Sequence, residues 1–190
     1  MNPASNLVLV GPMGAGKTSI GKRLSECFRL VFVDADLDIE LRTGAAVGTI
    51  FECEGEAGFR ARERAALADL LAGSAQVIST GGGAVLDADN RRGMRERGFV
   101  VYLQVSVDGQ LQRLARDRTR PLLQRDDREE VLRQLALARA PLYAEIADLC
   151  FDTDGLTSTE AASALARMLD GRWQRTAVAV AALRLGSGQP

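Results

Sequence analysis

An α/β fold, with a five-stranded parallel sheet and helices on both faces, is the architecture this 190-residue sequence predicts. Short continuous apolar runs mark strands buried on both faces, since a half-exposed strand would alternate. Segments of helical spacing separate those runs. Two of the runs end at glycine-bearing turns, Gly11 after the first and Gly81 to Gly83 after the third.

The elements follow in order. Leu7 to Val10 is an unbroken apolar strand. A helix is expected from Lys17 to Cys27, with Ile20, Leu24 and Phe28 on one face. The second strand, Leu30 to Val33, stops at the acidic segment Asp34 to Asp38. Helical patterning returns between Leu37 and Leu41 and from Phe59 to Leu71. Gln76 to Ser79 reads as the third strand and Phe99 to Leu103 as the fourth. The remainder is mainly helical, with a short fifth strand near Leu149 to Phe151. Residues 113–128 break the pattern: the segment is highly charged, holds Pro121 and lacks an apolar stripe, so a mobile lid is expected there. Residues 1–170 are read as one domain and 171–190 as a tail, in which Ala177 to Leu183 has the composition of an extra helix.

Composition narrows the chemistry. The formal charge is −1, which argues against a chain that coats nucleic acid or an anionic membrane. No apolar stretch reaches the length of a membrane span, and Met1 to Asn6 lacks the basic start of a secretory signal. Cys27, Cys53 and Cys150 are widely spaced and odd in number, which suits a reducing cytoplasm. Histidine is absent, removing histidine triads, bases and metal ligands. Lysine occurs only at Lys17 and Lys22, against 22 arginines, so positive charge is presented mostly as guanidinium. With no heptad seam, a monomer is the default.

Gly11-Pro-Met-Gly14-Ala15-Gly16-Lys17-Thr18 satisfies the G-x-x-x-x-G-K-[ST] pattern, with a strand before it and a helix after it. Its glycines let successive N–H groups turn toward phosphate oxygens, and the helix N-terminus adds the positive end of its dipole. Lys17 can reach the β- and γ-phosphates, Thr18 can offer its hydroxyl to Mg²⁺, and Ser19 completes the nucleotide-binding turn. Next, Asp34 and Asp36 leave the second strand two residues apart, which in extended geometry puts both carboxylates on one side. One suits Mg²⁺ and the other the proton of an attacking hydroxyl. Asp38 is better read as a helix N-terminal charge.

From Val33 to Glu63 the sequence VDADLDIELRTGAAVGTIFECEGEAGFRARE resembles the signature of the shikimate kinase family. The resemblance continues through Gly81-Gly82-Gly83, Arg120-Pro-Leu-Leu123 and Arg139-x-x-x-Tyr143-x-Glu145-x-Ala147, and spans Leu7 to about Leu169. It implies a P-loop fold of the nucleoside-monophosphate-kinase type. It also implies ATP- and Mg²⁺-dependent phosphorylation of the 3-hydroxyl of shikimate, a step toward the aromatic amino acids. Carried onto this sequence, Asp36 binds substrate hydroxyls and is the candidate base. Asp34 supports Mg²⁺, while Arg60, Arg139 and the Gly81–Gly83 backbone bind shikimate. Arg120 reaches over the phosphates from the lid, and Arg113 stacks on adenine.

The residue types fit that substrate. Two guanidinium groups suit its carboxylate, and Asp36 suits a pair of hydroxyl donors. Glu63, three residues after Arg60 on a helix, can fix the fork of Arg60. Val47, Phe51, Phe59, Pro121 and Leu122 are candidates for an apolar wall. The alternatives are a kinase for another small polyol acid such as gluconate, and a kinase-like domain that binds a metabolite without transferring phosphate. Intact Lys17, Thr18, Asp34, Asp36 and Arg120 argue against the second. The loop after Asp152 is expected to border adenine, with no single residue assigned.

Overall fold

The computed structural model describes residues 4–115 and 127–175. Arg120, Pro121, Leu122, most of the expected lid and the expected helix at 177–183 lie outside the described residues. The chain runs β1 (Asn6–Val10), α1 (Lys17–Phe28), β2 (Val31–Asp34), α2 (Ala35–Thr43), α3 (Val47–Ala72) and β3 (Gln76–Ser79). A 3₁₀ turn at Ala84–Leu86 leads to α4 (Ala88–Arg97), β4 (Gly98–Gln104), α5 (Val107–Arg113), α6 (Arg128–Ile146), β5 (Leu149–Asp152) and α7 (Ser158–Asp170). The five strands form one parallel sheet in the order β2-β3-β1-β4-β5.

β1 lies at the centre with all five residues buried, and its side chains alternate between two cores. Leu7 and Leu9 join Ile20 and Leu24 of α1 and Leu165 and Leu169 of α7 on one face. Val8 and Val10 join Leu67 and Leu71 of α3, Met94 of α4 and Tyr143 and Ile146 of α6 on the other. Burial on both faces is why these strands read as continuous apolar runs. From β1 the chain crosses to β2 at one edge, returns to β3 beside β1 and then crosses to β4 on the other side of β1, so the strand order reverses there and a crevice opens at the carboxyl ends of the strands.

Three local readings change. β2 ends at Asp34, which becomes the N-cap of α2, so Asp36 sits in the first helical turn and the two carboxylates are not related by strand alternation. A helical segment from Val47 precedes the expected helix near Phe59 within α3. A non-helical Gly55 (φ 69°) separates the two, and the first is short, with its apolar residues Val47, Ile50 and Phe51 interspersed with polar ones. Arg113 is the last residue of α5 rather than the first of a lid. Beyond Asp170, Trp173 is buried and its indole N–H donates to the Ala4 carbonyl at 2.9 Å. Val47, Phe51 and Phe59 pack with Ile39, Ile50 and Ala66 into a small separate core between α2 and α3, where the Phe51 and Phe59 rings stack at 4.5 Å.

Candidate active site

The phosphate loop follows from the backbone. Gly16, the N-cap of α1, has φ 86°, a left-handed conformation that glycine adopts without strain. Ala15 is fully buried, so it offers a ligand only its backbone. Lys17 Nζ donates to the carbonyls of Gly11 at 2.8 Å and Pro12 at 2.9 Å, which holds the ammonium across the mouth of the loop. Thr18 Oγ1 donates to Asp34 Oδ2 at 2.9 Å, joining the start of α1 to the end of β2. A cleft of about 570 Å³ opens here, lined by residues 13–20, Asp34, Asp36, residues 79–82 and Arg113.

Its far wall is the loop after β5, where Thr153, Leu156 and Thr157 line the cleft. Arg113 ties this wall to the phosphate loop. Its guanidinium donates to the Gly14 carbonyl at 3.0 Å, to Thr153 Oγ1 at 2.9 Å, and to the Thr153 carbonyl. Thr153 in turn donates to the Gln104 carbonyl at 2.7 Å. No residue of this loop stands out in the sequence; in the structure the buried Thr153 fixes it.

The Gly81–Gly83 turn organises the other half of the site, and each glycine admits different side chains. A Cβ at Gly81 would lie 2.7 Å from Asp36 Oδ1 and 2.9 Å from Glu63 Oε1. A Cβ at Gly83 would fall inside the guanidinium of Arg60. A Cβ at Gly82 would meet only ordinary contacts, 3.6 Å from the Gly11 carbonyl oxygen, 3.7 Å from the Tyr143 hydroxyl and 3.8 Å from Arg139 Nη1. The glycines at 81 and 83 are therefore required by close approach of charged groups, and all three backbones avoid the left-handed region. Arg60, Gly83 and Arg139 do not line the cleft itself; the turn connects them to it.

Around this turn the charges are arranged in series. Glu63 is only 2% exposed and accepts from Arg60 Nη1 at 2.7 Å, while Glu56 accepts from Arg60 Nε and Nη2 at 3.3 and 3.2 Å. Burial pulls the Arg60 pKa down, but its bonds to Glu63 and Glu56 outweigh this and hold it above the ordinary value. Burial pushes the Glu63 carboxyl up; Arg60 opposes the shift and the neighbouring Asp36 adds to it. Arg139 donates to the Gly82 carbonyl at 3.2 Å and has no carboxylate partner among the described residues. Asp38 forms an ion pair with Arg42 at 2.6 Å, which confirms a local role for it.

This set offers an anion cradle with a lysine, a threonine–carboxylate pair at its edge, a carboxylate beside a glycine turn, and two arginines converging on that turn. The shikimate kinase family model matches residues 13–170. The chain belongs to the shikimate kinase family. Among its relatives, a shikimate kinase of Stenotrophomonas maltophilia (strain K279a) is 60% identical over 92% of this chain and 97% of its own length. One from Xanthomonas campestris pv. campestris (strain 8004) is 58% identical over 92% and 97%. Of solved structures, shikimate kinase from Acinetobacter baumannii in complex with shikimate aligns with a TM-score of 0.85 at 44% identity, covering 90% of this chain and 95% of that one. A gluconokinase from Sinorhizobium meliloti shares the fold at 18% identity and a TM-score of 0.53, covering 90% of this chain and 95% of that one. The phosphotransferase reading, the parallel α/β fold and the family resemblance of the sequence all hold. No described helix is long and apolar enough to cross a membrane.

Proposed function

We propose that this chain transfers the γ-phosphoryl group of ATP to the 3-hydroxyl of shikimate, with the residues around the Gly81–Gly83 turn holding the acceptor. The observation that carries the assignment of roles is the convergence on one three-glycine turn of Asp36, Arg60 and Arg139. Asp36 faces Gly81 at one end of the turn, Arg60 faces Gly83 at the other and Arg139 reaches the Gly82 carbonyl between them, which suits an acceptor with hydroxyls at one edge and a carboxylate at the opposite edge.

The phosphate loop backbone and Lys17 bind the β- and γ-phosphates, and Arg113 borders the nucleobase side of the cleft. Thr18 and Asp34 fit Mg²⁺: two hard oxygen ligands held 2.9 Å apart at the phosphate loop leave the remaining positions to water and phosphate oxygens, as this ion prefers. When bound, Mg²⁺ supplies neutralisation of phosphate charge. Asp36 orients the 3-hydroxyl and accepts its proton as the oxygen bonds to the γ-phosphorus and the bond to the ADP oxygen breaks. Lys17 stabilises the charge spread over the transferring group. The family motif assigns the same task to Arg120, reaching over the phosphates from the lid. A monomer is the working unit of this reading, and three exposed free cysteines suit the cytoplasm.

The test is ADP release with ATP and Mg²⁺ against shikimate, quinate, gluconate, AMP and no acceptor. Turnover with shikimate alone is expected. Equal or greater turnover with gluconate or AMP would overturn the acceptor assignment and leave the phosphate site in place.

A further inference from the structure

Helix α6 carries two side chains that share one acceptor. The Gly82 carbonyl accepts from Arg139 Nη1 at 3.2 Å and from the Tyr143 hydroxyl at 2.5 Å. The two residues are four apart, so they lie one turn from each other on the same helix face. Tyr143 is 1% exposed, and its ring packs against Tyr102 of β4 with centroids 4.9 Å apart, so the sheet fixes the phenol from behind. Burial raises the phenol pKa against the pull of Arg139, which keeps the group a neutral donor throughout the physiological range.

Pro141 lies between them in the helix. It has no N–H to donate to the Leu137 carbonyl, so the turn that presents Arg139 is held less firmly by its own backbone. The guanidinium reaches the Gly82 carbonyl through Nη1 and also bonds to the Tyr143 side chain, so both of these contacts involve the pair that Tyr143 forms with Gly82. The anchor that remains is the shared carbonyl, and the shorter of its two bonds comes from Tyr143.

We infer that Tyr143 is a positioning residue for the acceptor's carboxylate: by gripping the Gly82 carbonyl beside Arg139, it sets the direction in which Arg139 presents its remaining N–H groups. The inference rests on the reading of Arg139 as a carboxylate ligand.

Tyr143→Phe keeps the ring and removes only the donor. The experiment compares wild type, Tyr143→Phe, Arg139→Ala and the double variant on two acceptors, shikimate and its uncharged carboxamide. On shikimate, Tyr143→Phe is expected to lose about tenfold in kcat/KM, mostly through KM, and Arg139→Ala about a hundredfold. The double variant is expected to be no worse than Arg139→Ala, since Tyr143 acts through it. The KM for ATP should stay unchanged, and Tyr143→Phe should turn over the carboxamide as wild type does. The ratio between the two acceptors does not depend on how much of a variant is folded, so weakened folding cannot imitate this result. Equal losses on both acceptors for Arg139→Ala would remove Arg139 from carboxylate binding, and the inference with it. If Arg139→Ala discriminates between the acceptors while Tyr143→Phe does not, only the role of Tyr143 is overturned.

Discussion

Replacing Gly83 with alanine tests how the acceptor half of the site is built. The added methyl group would occupy the place of the Arg60 guanidinium, so Arg60 must swing away and lose its 2.7 Å bond to Glu63. Arginine is long enough to move without disturbing the sheet, and the steric part of the cost is therefore small. The electrostatic part is larger, because Glu63 stays buried without its cation. Removing one partner of a buried ion pair costs about 3–5 kcal/mol. That range is an upper bound here, because burial already raises the Glu63 pKa and proton uptake relieves the charge. Loss of the contact between Arg60 and the acceptor carboxylate costs a further ~1.5–3 kcal/mol of binding, roughly ten- to a hundredfold in KM. ADP release at varied shikimate and varied ATP reads the two halves of the site separately. The KM for shikimate should rise at least tenfold while that for ATP stays within about twofold. Thermal melting should show a lower midpoint. An unchanged KM for shikimate in a folded Gly83→Ala enzyme would refute the placement of Arg60 against this turn.

Further predictions concern individual groups. Asp36→Asn should cut turnover far more than it weakens ATP binding; unchanged turnover would remove Asp36 from the chemistry. Lys17→Met should leave less than about a tenth of the wild-type rate, since its role is worth a few kcal/mol at the transition state, and single-turnover kinetics would read this directly. For Glu63 the sign follows from a folded pKa raised above the ordinary 4.5. Between that value and the raised one, the folded chain holds the proton more tightly than the unfolded chain does, so stability declines as pH rises through the window. Glu63→Gln should flatten that decline in melting curves taken from about pH 4.5 upward, and an identical slope in the variant would contradict the shift.

Much of this architecture was legible because its strongest signals are local. β1, β3 and β4 announce themselves as continuous apolar runs, and the phosphate loop needs a glycine–lysine pattern that a strand and a helix must flank. Thr18 belongs to that pattern and Asp34 to the acidic segment that ends the second strand, and the structure brings them to 2.9 Å. The missed features are tertiary. The first part of α3 is only eight residues long before the kink at Gly55, and it is held by the small core with α2 and by the Val47 N–H bond to Glu40 at 2.9 Å rather than by a sustained periodicity of its own. Glycines 81 and 83 looked like backbone donors to a ligand. Their second reason, room for Asp36, Glu63 and Arg60, depends on where distant helices pack. Thr153 and Tyr143 carried no assigned role because nothing in their own segments shows which carbonyls they reach. The four-residue spacing of Arg139 and Tyr143 was the available hint.

The most direct measurement is to incubate the enzyme with ATP, Mg²⁺ and shikimate and to locate the transferred phosphorus by ³¹P–¹H correlation spectroscopy. A single phosphomonoester coupled to the proton on carbon 3, formed in step with ADP, is the predicted result. Phosphate on another hydroxyl, or ADP accompanied only by inorganic phosphate, would contradict the alignment of the 3-hydroxyl by Asp36.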